Sequence, residues 1–330
     1  MHIRPNRRLL SAALVAAAVT LAGCGSSNSS SASSGDTPSS ASTSGSTGTS
    51  AGFDSVSFAG AVGTDATVKF DGAITNATDA TKVVTAGKGD KVASGDSLII
   101  QTVIADGTTG KTVASSYQDK QPQVVSLTPQ VQKVFLDALQ GKTVGSRVAV
   151  LAPASEIFGA SGNTQLGIGP SDSVVIVFDI LGKPLDKPDG KQHKAPAWAP
   201  KIEKTKGVIS GFDFGGIPKP DGTLHSANLF DGTGPVVKKG QTIFARYLGE
   251  VYKGKKAFDQ NFDGDAPATF EIGAGHVIPG WDKTLVGQHV GSEVLLEIPP
   301  ADGYGKKGNS QAGIKGTDTL YFVVDIVGAA

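Results

Sequence analysis

"IGAGHVIPGWDKTLVG" (Ile272–Gly287) sets one of the chain's two tryptophans directly after Pro-Gly. Pro279 and the run after Trp281 predict one or two helical turns, because Pro suits a helix start and Gly287 a helix end. A Trp at the mouth of so short a helix needs a concave partner, and the flanking segments supply strands. "QTIFARYLGEV" (Gln241–Val251) is β-branched and aromatic, and "ATFEI" (Ala268–Ile272) is a short alternating strand. "SEVLLEIP" (Ser292–Pro299) alternates until Pro stops it, and "DTLYFVVDIVG" (Asp318–Gly328) is a long final strand. Short strands around one short helix predict an α+β domain, an antiparallel sheet packed against that helix.

The same pattern occurs earlier in the chain. "FLDALQGKTVGSRVAVLAPASEIFG" (Phe135–Gly159) matches "WDKTLVGQHVGSEVLLEIPPADGYG" (Trp281–Gly305), and "SDSVVIVFDILG" (Ser171–Gly182) matches "TDTLYFVVDIVG" (Thr317–Gly328). Both pairs are offset by 146 residues, and an upstream pair, Gly87–Ala105 with Gly232–Glu250, by 145. A repeat of this length is a duplicated domain, not a solenoid unit. "GKPLDKPDGKQHKAPAWAP" (Gly182–Pro200) carries four prolines and predicts an extended, semi-rigid connection between the copies.

"ARYLGEVYKGKKAFDQ", "FEIGAGHVIPGWDKTLVGQHVG", "IPPADGYG" and "TLYFVVDIV", in this order and spacing, resemble the FKBP-type peptidyl-prolyl isomerases over about Asp221–Gly328. The resemblance implies two tandem FKBP-like domains, each an antiparallel half-barrel sheet wrapped around a short helix, with the pocket between sheet and helix. It places the pocket on Tyr247, Phe258, Asp259, Val277, Ile278, Trp281, Tyr304 and Phe322. Trp281 is then the floor, and Tyr247, Phe258 and Phe322 are aromatic walls. The Ile278 N–H and the Tyr304 phenol meet carbonyls of the bound peptide, Val277 lines the substrate, and Asp259 lies near the prolyl carbonyl. Two positions depart from the family pattern. Ala268 stands where a rim aromatic is expected, and Asn309 lies near the place of a loop aromatic or His.

These residue types suit rotation about an X–Pro bond. The obstacle is amide resonance, a barrier of about 18–20 kcal/mol. The twisted amide loses resonance and carbonyl charge, so a dry aromatic pocket favours it over water without any nucleophile. The same pocket accepts a proline ring while a few donors orient the flanking carbonyls. In the first copy the corresponding sequence positions are Thr102, Ala114, Ser115, Gln132, Phe135, Phe158 and Ile176, so the Asp and the hydroxyls are gone. That copy is expected to be catalytically inert, a spacer, client-binding module or docking surface.

The N-terminus reads as a targeting segment. Arg4, Arg7 and Arg8 precede an apolar run, Leu9–Ala22, which is shorter than the ~20 residues that span a bilayer. The run ends in "LAGC" (Leu21–Cys24), which resembles the bacterial lipobox and implies lipidation of Cys24, the chain's single cysteine. No intramolecular disulfide can form. A Ser/Gly/Thr-rich tether follows. The expected organisation is signal peptide 1–23, tether 24–52, degenerate FKBP-like domain 53–182, Pro-rich linker and lead-in 183–220, and isomerase domain 221–330.

A formal net charge of zero gives no global field for nucleic acid, and no phosphate loop or metal-ligand spacing occurs. Neither a cofactor nor a metal is expected. The expected partners are proline-containing unfolded or extended polypeptides, a macrolide ligand, and the membrane through lipidated Cys24. The leading reading is an exported, lipid-anchored peptidyl-prolyl isomerase that assists folding outside the cytoplasm. The alternative is a non-enzymatic chaperone or cell-surface peptide-binding lipoprotein.

Overall fold

The computed structural model describes residues 52–264 and 266–330; the expected signal peptide, Cys24 and the tether as far as residue 51 lie outside the described residues. Among the described residues no helix is long and apolar enough to cross a membrane.

The first half runs β1 (Val56–Ala59), β2 (Thr67–Phe70), β3 (Ala80–Thr85), β4 (Ser97–Asp106), β5 (Lys111–Ser115), β6 (Gln123–Ser126), α1 (Lys133–Leu139), β7 (Arg147–Pro153), α2 (Ala154–Phe158) and β8 (Ser173–Gly182). Its main sheet has the order β3-β7-β8-β4-β5, with β6 also on β4, and every ladder is antiparallel. The second half adds β9 (Lys191–Gln192), β10 (Lys201–Thr205), β11 (Val208–Asp213), β12 (His225–Asp231), β13 (Thr242–Val251), β14 (Asp259–Gln260), β15 (Ala268–Glu271), α3 (Pro279–Leu285), β16 (Glu293–Ile298) and β17 (Leu320–Ala329). Its sheet order, β14-β13-β17-β16-β12-β9 with β15 on β13, repeats the first sheet and adds β9 at one edge.

Each sheet buries one face against its short helix. In the first domain Phe135, Ala138 and Leu139 of α1 pack on Ile100, Val148, Val150, Ile176 and Phe178. In the second, Trp281 and Leu285 of α3 pack on Ala245, Val294, Leu296 and Val324. Full burial of a large apolar side chain contributes about 1.5–3 kcal/mol, so this shared layer stabilises both copies whatever lines the cup.

The other face of each sheet is covered by an N-terminal hairpin. β1 and β2 pair with each other and set Val56 and Val68 on Val103, Ala149 and Val177. β10 and β11 pair likewise and set Ile209 and Phe212 on Leu248, Leu295 and Val323. Residues 183–220, expected as a Pro-rich linker and lead-in, therefore hold three strands. β9 pairs with β12, and β10 and β11 belong to the body of the second domain. "KIEKT" hid this because β10 is an exposed outer strand with little apolar alternation. Trp198 joins the same layer and stacks on His225, with ring centroids 5.6 Å apart.

Beneath these hairpins the two copies treat one ladder position differently. In the first, Arg147 of β7 faces Asp179 of β8 and grips it through Nε at 2.6 Å and Nη2 at 2.7 Å. The guanidinium also donates to the carbonyls of Ala59, Gly60, Ala61 and Thr64, and so bolts the β1–β2 turn to the sheet. The second copy has Glu293 facing Asp325. Burial, and then the charge of Glu293, push the Asp325 carboxyl up to about 8. Burial also raises Glu293, while Lys204 of the hairpin opposes that rise.

Candidate active site

The cup between α3 and its sheet is built from four strands, the helix and two loops. Ile278 is the residue before the helix, in extended conformation, with Pro279 and Gly280 as the first helical residues. Pro279 fixes φ and lacks only an N–H that would be unpaired there, so the turn delivers Trp281 to the inner side of the helix. Trp281 is 3% exposed. Its ring is met edge-on from three sides: Phe270 at 4.9 Å, Phe322 at 5.4 Å and Tyr247 at 5.5 Å between centroids. Phe258 extends the wall, T-shaped on Phe322 at 5.5 Å. Such edge-to-face pairs contribute about 0.5–1.5 kcal/mol beyond burial, so the floor is rigid as well as apolar.

Strand register explains why these rings converge. Tyr247 and Gly249 lie two apart on β13 and share one face, and Gly249 is directly paired with Phe322 of β17 and with Asp259 of β14. A Cβ at Gly249 would lie 2.5 Å from Phe322 and 2.7 Å from Phe258. Glycine at this point is what lets the two rings close over the strand.

The polar groups sit at the rim. The Tyr247 hydroxyl donates to Asp259 at 2.8 Å. Burial, then this bond, holds the Tyr247 phenol well above its ordinary value. Tyr304 is pushed up to about 12 by burial, opposed by its bond to Asn309 and assisted by the Asp259 charge. Both phenols are thus neutral donors across the physiological range. Asn309 pairs with Ile314 through both backbone groups and steadies the loop after Tyr304. The Ile278 carbonyl accepts from Trp281 N at 3.0 Å, and Val277 packs at the cup's edge.

The structure therefore brings Tyr247, Phe258, Asp259, Val277, Ile278, Trp281, Tyr304 and Phe322 into one apolar cluster with a polar rim. Sequence reasoning missed Phe270, whose ring lies nearest the Trp281 ring. The signal was present, because alternation in "ATFEI" puts Phe270 on the same face as Ala268. It also missed Gly249, whose role is visible only across strands.

The equivalent cup of the first domain is filled. Ile104 pairs with Ile176, the register held by Gly249 and Phe322 in the second domain. Ile104, Ile176 and Phe178 are buried there, and Phe178 meets Phe135 edge-on at 5.5 Å. Gln132, at the position of Ile278, folds inward and donates to the Ile157 carbonyl at 2.9 Å. One sequence correspondence needs correcting. Sequence comparison sets Ala114 against Phe258 and Ser115 against Asp259, but ladder register puts Val113 and Ala114 there. Ser115 instead bonds Asp65 beneath the outer hairpin. Ile104–Ala114 and Gly249–Asp259 span equal lengths of chain, so the 145-residue offset of the upstream repeat carries Phe258 and Asp259 onto Val113 and Ala114, and the match to Ala114 and Ser115 is one residue out of step.

On the opposite face of the second sheet, Asp221, His225 and Glu297 bring ligand-type atoms within 4.8 Å of one another. Each already has a partner, His225 with Asp221 at 3.2 Å and Glu297 with the Tyr321 hydroxyl at 2.6 Å. These three are separate from the aromatic cup.

A family model described as FKBP-type peptidyl-prolyl cis-trans isomerase matches residues 88–181 and again residues 234–327. An FK506-binding protein of Streptomyces anulatus is 37% identical over 113 residues, covering 34% of this chain and 90% of that protein. FK506-binding protein 4 of Emericella nidulans is 38% identical over 141 residues, 43% of this chain and 26% of that protein, so the chain spans about a quarter of that longer relative. The crystal structure of AtFKBP13 is 34% identical, with 32% of this chain and 93% of that one covered and a TM-score of 0.30.

Proposed function

Because the chain belongs to the FKBP-type peptidyl-prolyl cis-trans isomerase family, matched twice over more than half of its length, we propose that the cup of the second domain is its isomerase pocket and that it acts on X–Pro bonds of exported polypeptides. The observation that carries this reading is the contrast between the copies. One cup has Trp281 met by three aromatic rings and a Tyr247–Asp259 rim; the other is packed with Ile104, Ile176 and Phe178.

In this reading the proline ring rests on Trp281, with Tyr247, Phe258, Phe270 and Phe322 around it. The Ile278 N–H and the Tyr304 phenol hold carbonyls on either side of the rotating X–Pro bond, and Val277 contacts the chain beside the proline. Asp259, tied to Tyr247, opposes build-up of negative charge on the prolyl oxygen. That favours the twisted amide, whose carbonyl is less polar, over the planar one. No covalent step is involved. A macrolide of matching shape would occupy the same cup.

A protease-coupled or NMR exchange measurement on a short X–Pro peptide tests the assignment in the full chain. Phe258→Ala with Asp259→Ala should lower kcat/KM by about tenfold or more, since wall and rim are lost together. The residual rate bounds what the first domain contributes. An unchanged rate would move the activity out of this cup.

The proposed location is the outer face of a cell membrane, through lipidated Cys24 and the Ser/Gly/Thr tether. Uncatalysed X–Pro isomerisation takes tens to hundreds of seconds, slow enough to limit folding of a secreted chain. Mass spectrometry of the mature N-terminus is expected to find Cys24 first and diacylated; an unmodified Cys24 still joined to Gly23 would overturn the anchor.

A further inference from the structure

Among the described residues the two domains meet at a corner that adjoins the rim of the cup. Ile99 of β4 is buried with Phe244 and Val327 of the second sheet, and the Leu185 N–H donates to the Val327 carbonyl at 2.8 Å. Gly328 follows Val327, and a Cβ there would lie 2.4 Å from the Ile99 δ-methyl, so the surfaces meet without a gap. Beside this apolar contact, Glu271 ends β15 directly after Phe270. One Glu271 oxygen takes the Lys120 ammonium of the first domain at 3.0 Å, and the other takes His276 Nδ1 at 2.8 Å. The Glu271 side chain is 11% exposed, less than either partner. Thr242 also donates to the Lys120 carbonyl, at 3.4 Å.

His276 immediately precedes Val277 and Ile278. The loop that carries them is tied at its start by Asp282 of α3, which accepts from the N–H groups of Gly273 at 2.6 Å and Gly275 at 2.8 Å. Its far end is tied through His276 to Glu271, and so to Lys120. Lys120 itself lies at φ +52°, a left-handed conformation that a non-glycine residue adopts at some cost. The turn from Ser116 to Gln121 imposes that conformation and aims the side chain across the domain boundary.

We propose that the first domain, through Lys120 and Glu271, positions the 272–278 loop that presents Val277 and the Ile278 N–H to the substrate. Lys120 and Glu271 are positioning residues, and the inference rests on the pocket reading given above. The first domain has filled its own cup and serves as a buttress for the working one. An exposed ion pair is weak alone, so the expected effect is a graded loss of substrate fit, not a loss of fold.

The test uses the full chain with Lys120→Ala and Lys120→Arg. Three readouts are taken: isomerase kinetics on an X–Pro peptide, amide NMR shifts at residues 276–278, and thermal unfolding. Lys120→Ala is expected to raise KM by about two- to fivefold with kcat nearly unchanged. It should also shift the His276 and Ile278 amides and leave unfolding as in the parent. Lys120→Arg is expected to restore KM and the shifts. Parent-like KM and shifts in Lys120→Ala would overturn the proposal, as would a Lys120→Arg chain impaired like Lys120→Ala. A parent chain that does not isomerise the peptide would sink the pocket reading instead, and the amide shifts would still decide whether Lys120 positions the loop.

Discussion

Gly249→Ile in the full chain is expected to lower kcat/KM by about 100-fold while the second domain remains folded. The new Cβ alone would fall 2.5 Å from Phe322 and 2.7 Å from Phe258, and the branched remainder must enter the cup. Displacing reacting groups by about 1 Å can cost about 10²-fold. The fold is expected to survive because the first domain carries Ile104 at the same ladder position and packs it. Overpacking costs about 1–3 kcal/mol, less than the stability of an ordinary domain. Peptide kinetics and near-UV circular dichroism check both halves of the expectation. A well-folded Gly249→Ile chain with half or more of the parent activity would mean that the substrate does not enter between Phe258 and Phe322.

Arg147→Ala is expected to destabilise the first domain by about 3–5 kcal/mol, the usual cost of leaving one member of a buried ion pair without its partner. Arg147 has no solvent exposure and Asp179 has 1%. The substitution removes the guanidinium from the Asp179 carboxylate and from the carbonyls of Ala59, Gly60, Ala61 and Thr64 at once, of which Ala61 keeps the Thr64 N–H and hydroxyl. Tyr117 and the Gly63 N–H still donate to Asp179, which softens the loss without neutralising the charge. Native-state hydrogen exchange of the β7 and β8 amides in the full chain reads this domain separately, which matters because two domains need not unfold in one step. A change below about 1 kcal/mol would mean that the turn relaxes to let water reach Asp179.

The same ladder position shows how far a duplicated fold tolerates different chemistry. Glu293 replaces the arginine in the second domain, and Arg246 on the neighbouring strand and Lys204 on the hairpin act on the pair by their charge. In the Glu293–Asp325 pair burial raises both carboxyls, where the first domain holds an ion pair. Neither arrangement faces a cup, so the difference concerns how each hairpin is held and not the chemistry.

Much of the site was legible in one dimension. Trp281, Phe258, Asp259, Tyr304 and Phe322 stand in motifs whose order and spacing are specific, and a strand period of two places Tyr247 on a known face. Phe270 could have been read from the same alternation. The β10–β11 hairpin could not, because an exposed covering strand buries too few residues to leave a pattern. The correspondence of β5 with β14 is a different case: the 145-residue repeat offset carries it, and a slip of one residue turns each side chain to the other face of the sheet.

Local order in the chain was enough to establish two copies of one α+β fold and to mark the second as the copy that keeps the aromatic and acidic set. Periodicity, turn residues and motif spacing are short-range properties, and they survive without knowledge of what packs where. Tertiary structure alone decided that Ile104 and Gln132 pack into the first cup, that Gly249 lets Phe258 and Phe322 close over β13 in the second, and that Lys120 reaches Glu271 across the domain boundary. Those outcomes depend on which residues from distant strands meet at one point, because a close-packed interior has no room for an added side chain.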